Sequence, residues 1–337
     1  MKDVLLLTLD FPPTFIGGIS AWSSDIACAL HRDEKSVTVV AKRCGDTHEF
    51  DNEQPFEVVR AWGRSWSRWQ SLWMRMKAAP RITSNTLVLS ATWPLATQIH
   101  AAVRKQHAKL AIAFHGSEIT ELTQAPRALQ QAVDAATHLF PVSNFLGEEL
   151  VRLGCIQPGD PRLRVLPMPL DVEPTPSPSR SGDLICVARP SPRKRIDRAV
   201  QIAHVTGRTL HLIGPTEGPT GTVAHGALSR SETLHLIAKS EAIVLTPGTN
   251  ENGLGGEGLG LVLLEAAARG VPAIGCSTGG VPEALGPGLL LGDPDAPDGD
   301  EINAWLLGDG RGEHARTWVQ AHHGPARCLA VLEGALL

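Results

Sequence analysis

The sequence predicts an α/β protein made of two doubly wound, Rossmann-like domains facing a central cleft. Three observations predict it. Short apolar runs of strand length alternate with helix-period segments along most of the chain. The alternation is interrupted by EPTPSPSRSGD at 173–183, whose prolines, serines and glycine read as a linker. The length, 337 residues, suits two cores of about 150 residues better than one.

In order, residues 4–9 read as a buried strand ended by Asp10, Pro12 and Pro13, followed by a loop with Gly17 and Gly18. Residues 21–30 have helical periodicity through Trp22, Ile26, Ala29 and Leu30. Strands are expected at 37–41, 86–90, 110–114 and 138–142, with helices near 96–106 and 144–153. This assigns 1–172 to a first domain. After the linker, strands are expected at 184–188, 209–213, 242–246 and 273–276, and helices at 196–206, 231–238, 260–269 and 314–336. This assigns 184–312 to a second domain and leaves 313–337 as a terminal helical segment. Ligands of such folds bind at the carboxyl ends of the strands, and two facing domains make their cleft the default site.

Composition excludes more than it selects. Apolar residues make up 42%, charged residues 20%, and the formal net charge is −4, so no global bias points to nucleic acid. The six cysteines are scattered without a CxxC pair, which argues against a disulfide framework or zinc site and fits a reducing cytoplasm. The N-terminal apolar run is too short for a signal peptide, and no stretch approaches the roughly 20 apolar residues of a membrane span. The expectation is a cytoplasmic protein, at most peripheral at the inner face of a membrane.

The most informative segment is Glu257-Gly-Leu-Gly-Leu-Val-Leu-Leu-Glu265. Gly258 and Gly260 allow close backbone approach to a ligand and open a helix. The helix start presents unpaired N–H groups and a positive dipole end to an anion. Glu257 precedes that end, and Glu265 lies about one and a half turns beyond it. Carboxylates so placed suit the paired hydroxyls of sugars and riboses. Alone, both acids could be ordinary surface residues of a helix. Upstream, VARPSPRKRID sets Arg189 and Lys194 after a strand, where two cations can neutralise a diphosphate; alone, they could be a solvated cluster with Arg193 and Arg195.

Together these segments resemble the retaining GT-B glycosyltransferases of family GT4, also called group 1. Glu257 to Glu265 is similar to the family's E-x7-E motif, GVPAIGCSTGGVPEAL to its G-x-P-V-I…G-G-x-P-E stretch, and VARPSPRKRID to its G-R-x4-K segment. In the first half, FPPTFIGGISAW resembles the glycine-rich first loop, HGSEI the HG-x-[DE] segment, and PVSNFLGEEL the V-S-x4-L helix start. The bacterial phosphatidylinositol-mannoside mannosyltransferases have a similar FPP-x-x-GGI and EGLG. The sequence departs from the family pattern at Leu259, where Phe is usual, in a larger loop at 250–256, and in a short segment between Ile213 and Val223.

The resemblance implies an acceptor-binding first domain, a donor-binding second domain and a last helix that crosses back to the first. It implies that Arg189 and Lys194 hold the diphosphate, that Glu257 orients the sugar and that Glu265 takes the ribose. Gly258, Leu259, Gly260, Leu261 and Val262 would line the phosphate and sugar, and Leu228, in the 226–228 turn, the base. Gly17 and Gly18 would lie against the diphosphate, and His115 would sit near the reacting carbon. A hexose would pass from GDP-mannose or a UDP-sugar to a glycan or glycolipid hydroxyl by front-face substitution. No Asp-x-Asp motif occurs where a metal-dependent transferase would need one, and no cofactor is expected to be required. Other readings remain: a GT-B epimerase or phosphorylase, or a non-catalytic sugar-nucleotide-binding protein. Gly253, Gly255 and Gly258 also satisfy G-x-G-x-x-G, but the following strand leads to Ser277 and Thr278 and not to a ribose-binding acid.

Residues 60–77 read RAWGRSWSRWQSLWMRMK. Trp62, Trp66, Trp69 and Trp73 have the spacing of one helical face, accompanied by Arg60, Arg64, Arg68, Arg75 and Lys77 without an acid. Three uses are open: inward packing, an acceptor or membrane face for anionic lipid, or an aromatic platform for a glycan. Single-stranded nucleic acid could stack there too, but nothing else in the chain supports it.

Overall fold

The computed structural model describes residues 3–13, 17–63, 67–172, 180–251 and 253–336. They form two compact units, 1–169 with 325–337 and 170–324.

In the first unit the chain runs through β1 (Asp3–Thr8), α1 (Gly18–Arg32), β2 (Ser36–Lys42), α2 (His48–Glu53), β3 (Glu57–Ala61) and α3 (Arg68–Ala78). It continues through β4 (Thr86–Ser90), α4 (Trp93–Lys105), β5 (Lys109–Phe114), α5 (Ser117–Thr120), α6 (Arg127–Ala135), β6 (His138–Pro141) and α7 (Asn144–Arg152). The second unit holds β7 (Leu184–Val187), α8 (Ile196–Thr206), β8 (Leu210–Ile213), β9 (Thr222–Gly226), α9 (Arg230–Lys239), β10 (Ala242–Leu245) and α10 (Leu261–Ala268). It ends with β11 (Ala273–Cys276), α11 (Val281–Leu285), β12 (Leu289–Leu291), α12 (Gly299–Leu306) and α13 (Arg311–His323), and α14 (Pro325–Leu336) returns to the first unit.

Each unit has one six-stranded parallel sheet. The orders are β3-β2-β1-β4-β5-β6 and β12-β11-β10-β7-β8-β9, the same winding twice. Val4 to Leu7 and Leu110 to Phe114 are all buried, as parallel strands covered on both faces require. Strand addition reverses between β1 and β4 and again between β7 and β10. A doubly wound sheet opens its ligand crevice at that reversal, beyond the carboxyl ends of the strands.

Three sequence expectations are corrected. The single helix expected at 314–336 is two helices, α13 and α14. Pro325 lacks an N–H and pushes the preceding residue out of the helical region, and Gly324 is extended, with φ −73° and ψ 158°. α14 then packs on α1, and Lys109 Nζ donates to Ala335 O at 3.1 Å. Residues 170–172 group with the second unit, where the Leu170 N–H donates to His323 O at 3.0 Å.

The tryptophan segment is also not one helix. Val58 and Val59 pair with Val39 and Val40 in the sheet, and β3 takes Arg60. α3 begins only at Arg68, where the Ser67 hydroxyl caps the Gln70 N–H at 3.1 Å. Trp62 therefore precedes the helix. Arg60 is not solvated, since it pairs with Asp51 of α2 at 2.6 Å. Arg64 and Trp66 lie outside the described residues.

Candidate functional site

In the second unit the loops beyond β7 and β10 meet. β7 ends at Val187, and Arg189 follows with an exposed side chain. A Cβ on Gly214 would lie 2.1 Å from Ala188 O, and Gly214 has φ +113°, so only glycine lets the turn after β8 lie against this loop. The chain then makes a short 3₁₀ turn, Pro192–Lys194, and enters α8 through Arg195 in the left-handed region. Arg193 ties the two loops: its carbonyl accepts the Gly248 N–H at 2.9 Å, and its guanidinium donates to Gly256 O.

These anchors bring Lys194 onto Glu257, Nζ to Oε2, with side-chain exposures of 20% and 17%. Asp295 braces the base of the loop by pairing with both Arg195 and Arg198 at 2.6 Å. Hydrogen bonding by Arg198 first, and then by Arg195, holds the Asp295 carboxyl down at about 2. Arg198 also donates to Pro247 O at 3.0 Å, joining α8 to the end of β10.

The backbone around Glu257 is held by two glycines. The Gly280 N–H donates to Glu257 O at 2.8 Å. A Cβ on Gly279, which has φ +61°, would lie 2.3 Å from Glu257 O, and one on Gly280 would lie 2.3 Å from Gly258 O. Gly258, Leu259 and Gly260 are buried, and Gly260 takes φ 95° as the residue before α10. No side chain caps α10, so the amides around Leu261 and Val262, both half-buried, begin the helix without such a partner. That is the geometry of an anion-receiving helix start.

Glu265 is buried, at 5% exposure. Its Oε1 lies 3.0 Å from Arg230 Nε and 3.0 Å from a terminal guanidinium nitrogen of the same residue. Arg230 opens α9 behind a capping box made by Ser229 and Glu232. Leu228 is half-buried in the preceding turn, which Gly214 closes by donating its N–H to Gly226 O at 2.7 Å. The structure thus joins Lys194 to Glu257 and Arg230 to Glu265. Arg189 makes no ion pair among the described residues.

In the first unit, Gly17 and Gly18 begin α1, while residues 14–16 of the same loop lie outside the described residues. His115 follows β5, and its ring meets Trp22 edge-on at 4.6 Å. The residue is half-buried, but its Nε2 is fully enclosed and has no hydrogen-bond partner among the described residues. Burial pushes the imidazole down to about 3, against a weaker opposing hydrogen bond that the ring donates to the Ala91 backbone. His115 is therefore a neutral ring near pH 7. Glu118 accepts the His115 N–H and shapes this turn, and burial raises its carboxyl above the usual range.

Sequence reasoning missed Arg230, Glu118 and the Asp295 brace. Glu118 stood within HGSEI, and Arg230 stood two residues beyond Leu228. Neither spacing reveals a partner three residues back across a turn or 35 residues onward in another helix.

Of the tryptophans expected on one face, Trp62 and Trp69 are exposed, at 53% and 71%, and Trp73 is half-buried. Leu72 and Met76 join Trp69 on the open face of α3, with Arg68 and Arg75 exposed beside them. Arg43 lies 4.1 Å over the Trp62 ring. Among the described residues no helix is long and apolar enough to cross a membrane.

Residues 170–319 match the family model described as glycosyl transferases group 1. The chain is 25% identical over 356 residues to a GDP-mannose-dependent monoacylated alpha-(1-6)-phosphatidylinositol monomannoside mannosyltransferase of Corynebacterium glutamicum, covering 91% of this chain and 89% of that protein. It is 26% identical over 320 residues to a GDP-mannose-dependent alpha-(1-6)-phosphatidylinositol monomannoside mannosyltransferase of Mycobacterium tuberculosis, covering 85% and 83%. Similar solved structures include AviGT4, a glycosyltransferase involved in avilamycin A biosynthesis, with TM-score 0.73 and 18% identity over 99% of this chain and 97% of that one. Another is Anabaena Alr3699/HepE in complex with UDP and glucose, with TM-score 0.76 and 15% identity over 100% and 99%. The solved structures establish the fold, and the family model and curated relatives establish the class of enzyme. The chain is thus a glycosyltransferase with the GT-B fold, similar over residues 170–319 to the group 1 family.

Proposed function

We propose that this enzyme transfers a hexose from a nucleoside-diphosphate sugar to a hydroxyl of a glycolipid or glycan acceptor, with retention of anomeric configuration. The observation that carries the reading is the Lys194–Glu257 pair beside the uncapped start of α10. It sets a cation, a carboxylate and helix amides around one small space, which suits a phosphate carrying a sugar. GDP-mannose is the donor favoured by the names of the relatives, and a UDP-sugar is the other candidate.

In this mechanism Arg189 and Lys194 hold the diphosphate and stabilise the charge it gains on leaving. Gly258, Leu259, Gly260, Leu261 and Val262 hold phosphate and sugar, Glu257 accepts sugar hydroxyls, Glu265 accepts ribose hydroxyls, and Leu228 lines the base. The bond from the anomeric carbon to the phosphate oxygen breaks, and the acceptor oxygen bonds to that carbon on the same face. The acceptor proton passes to the departing phosphate, so no side chain serves as general base. His115, neutral, stands near the reacting carbon, and Gly17 and Gly18 let the first loop approach the diphosphate. Counter-charge comes from the two basic side chains, without a resident metal.

A lipid-borne acceptor gives the open face of α3 a use. Trp62, Trp69, Leu72 and Met76 would enter the interface of an anionic membrane, and Arg68 and Arg75 would meet its headgroups.

The test is a thermal-shift panel of GDP-, UDP-, ADP- and dTDP-sugars, followed by NMR of the product made with the binding donor. One donor should raise the melting temperature and yield a product with the donor's anomeric configuration. An inverted product would overturn the mechanism, and no response to any donor would overturn the assignment of the site.

A further inference from the structure

We propose that Arg230 is a positioning residue that sets the Glu265 carboxylate for recognition of the nucleotide ribose. The inference rests on the proposed role of Glu265 in ribose binding and adds the residue that makes it selective.

Glu265 sits in α10 at 5% exposure, and a carboxylate removed from water needs charged or hydrogen-bonding partners to be tolerated. Arg230 supplies them from a different helix, 35 residues earlier in the chain. Its Nε and a terminal nitrogen both lie 3.0 Å from the same oxygen, Oε1. A carboxylate offers about four acceptor sites, enough in principle for an arginine fork and hydroxyl donors together. Such a grip fixes the rotation of the carboxylate.

The burial is graded. The Arg230 side chain is 37% exposed and that of Glu265 is 7% exposed, so the cation stands on the solvent side of a buried acid. Arg230 is itself anchored. It is the first residue of α9, behind the Ser229–Glu232 capping box, directly after the 226–228 turn that the proposed function gives to the base. It is therefore placed where ribose adjoins base. Arginine suits the task because its planar fork orients a carboxylate in a way the lysine ammonium does not. Recognition sites held by such a second layer lose selectivity when that layer is cut.

The experiment measures binding of GDP and UDP, and of their 2′,3′-dideoxy counterparts, by calorimetry. It uses wild type, Arg230→Gln, Arg230→Lys and Glu265→Gln. Wild type should prefer the ribo form of its nucleotide by tenfold or more. Arg230→Gln should lower affinity for the ribo form about tenfold and change affinity for the dideoxy form less than twofold. Glu265→Gln should do the same, and the two together should add little to either alone, the signature of residues acting as one unit. Arg230→Lys should recover part of the preference.

Equal losses on ribo and dideoxy nucleotides would overturn the proposal, because Arg230 would then act on phosphate or on the fold. Unchanged or tighter binding by Arg230→Gln would overturn it too. If Arg230→Gln does not fold, the ratio of ribo to dideoxy affinity in Arg230→Lys decides. Wild type that binds neither nucleotide would instead sink the donor-site reading beneath it, and wild type indifferent to the ribose hydroxyls would sink the role of Glu265.

Discussion

Lys194 Nζ contacts Glu257 Oε2 directly, although the two stand 63 positions apart in the chain. Each side chain therefore neutralises the other. Under the proposed function a diphosphate at α10 would compete with Glu257 for Lys194, and a sugar would compete with Lys194 for Glu257.

Removal of either member should act on turnover more than on folding. Lys194→Ala and Glu257→Ala are each expected to lower kcat by about 10²- to 10³-fold, the usual effect of losing one electrostatic partner of a transition state. Their melting temperatures should stay within a few degrees of wild type, because both side chains reach solvent. Steady-state kinetics with the identified donor check this, and near-native turnover in both variants would remove them from the site.

Counter-charge from Arg189 and Lys194 implies indifference to chelation. Turnover in EDTA should match turnover in magnesium within about twofold, because in the proposed mechanism no metal ion lowers the barrier, and each tenfold of rate is worth roughly 1.4 kcal/mol. A larger loss restored by magnesium or manganese would show that a metal shares the phosphate.

Gly279 is a sharper structural test. Alanine there would sit 2.3 Å from Glu257 O at a φ of +61°. The left-handed backbone and the overlap together should cost about 2–5 kcal/mol. Calorimetric unfolding should show the loss, and because the displaced atom belongs to Glu257, activity should fall further than stability alone explains.

His115 makes stability depend on pH. Its folded value is lowered to about 3 from an ordinary 6.5, so the unfolded chain binds the proton more readily. The contribution is complete above pH 6.5 and is lost as pH falls toward 3, with a slope of up to ~1.4 kcal/mol per pH unit. Urea melts between pH 4 and 7 should show stability rising with pH in wild type and rising less steeply in His115→Asn. Parallel curves would mean that the ring titrates normally.

The open face of α3 predicts lipid binding. Wild type should co-sediment with vesicles rich in anionic lipid at low salt and be released as salt rises. Combined Trp69→Ser, Leu72→Ser and Met76→Ser should abolish sedimentation with little loss of stability, since all three side chains are exposed. Equal sedimentation of variant and wild type would exclude this face from membrane contact.

Much of this protein was legible in its sequence, because the readable signals are local. Parallel strands covered on both faces are continuous apolar runs, so β1, β4, β5, β7, β10 and β11 stand out between helical segments. Glu257, Gly260 and Glu265 were legible because a glycine opening a helix between two acids is a pattern within one turn or two. Tertiary structure decided which side chains meet. Lys194 reaches Glu257 and Arg230 reaches Glu265 because β7, β9 and β10 end at the same edge of a sheet whose strand order is not the chain order. Helical periodicity could not show that Trp62 precedes α3, because it counts residues and does not detect the Ser67 cap or the pairing of Val58 and Val59 in the sheet. Nor could it show which core α14 joins: the break at Gly324 and Pro325 is a local signal, but a helical pattern does not name the sheet a helix packs against. Local preference determined the elements and the motif, and the packing of distant strands determined the partners of each charge.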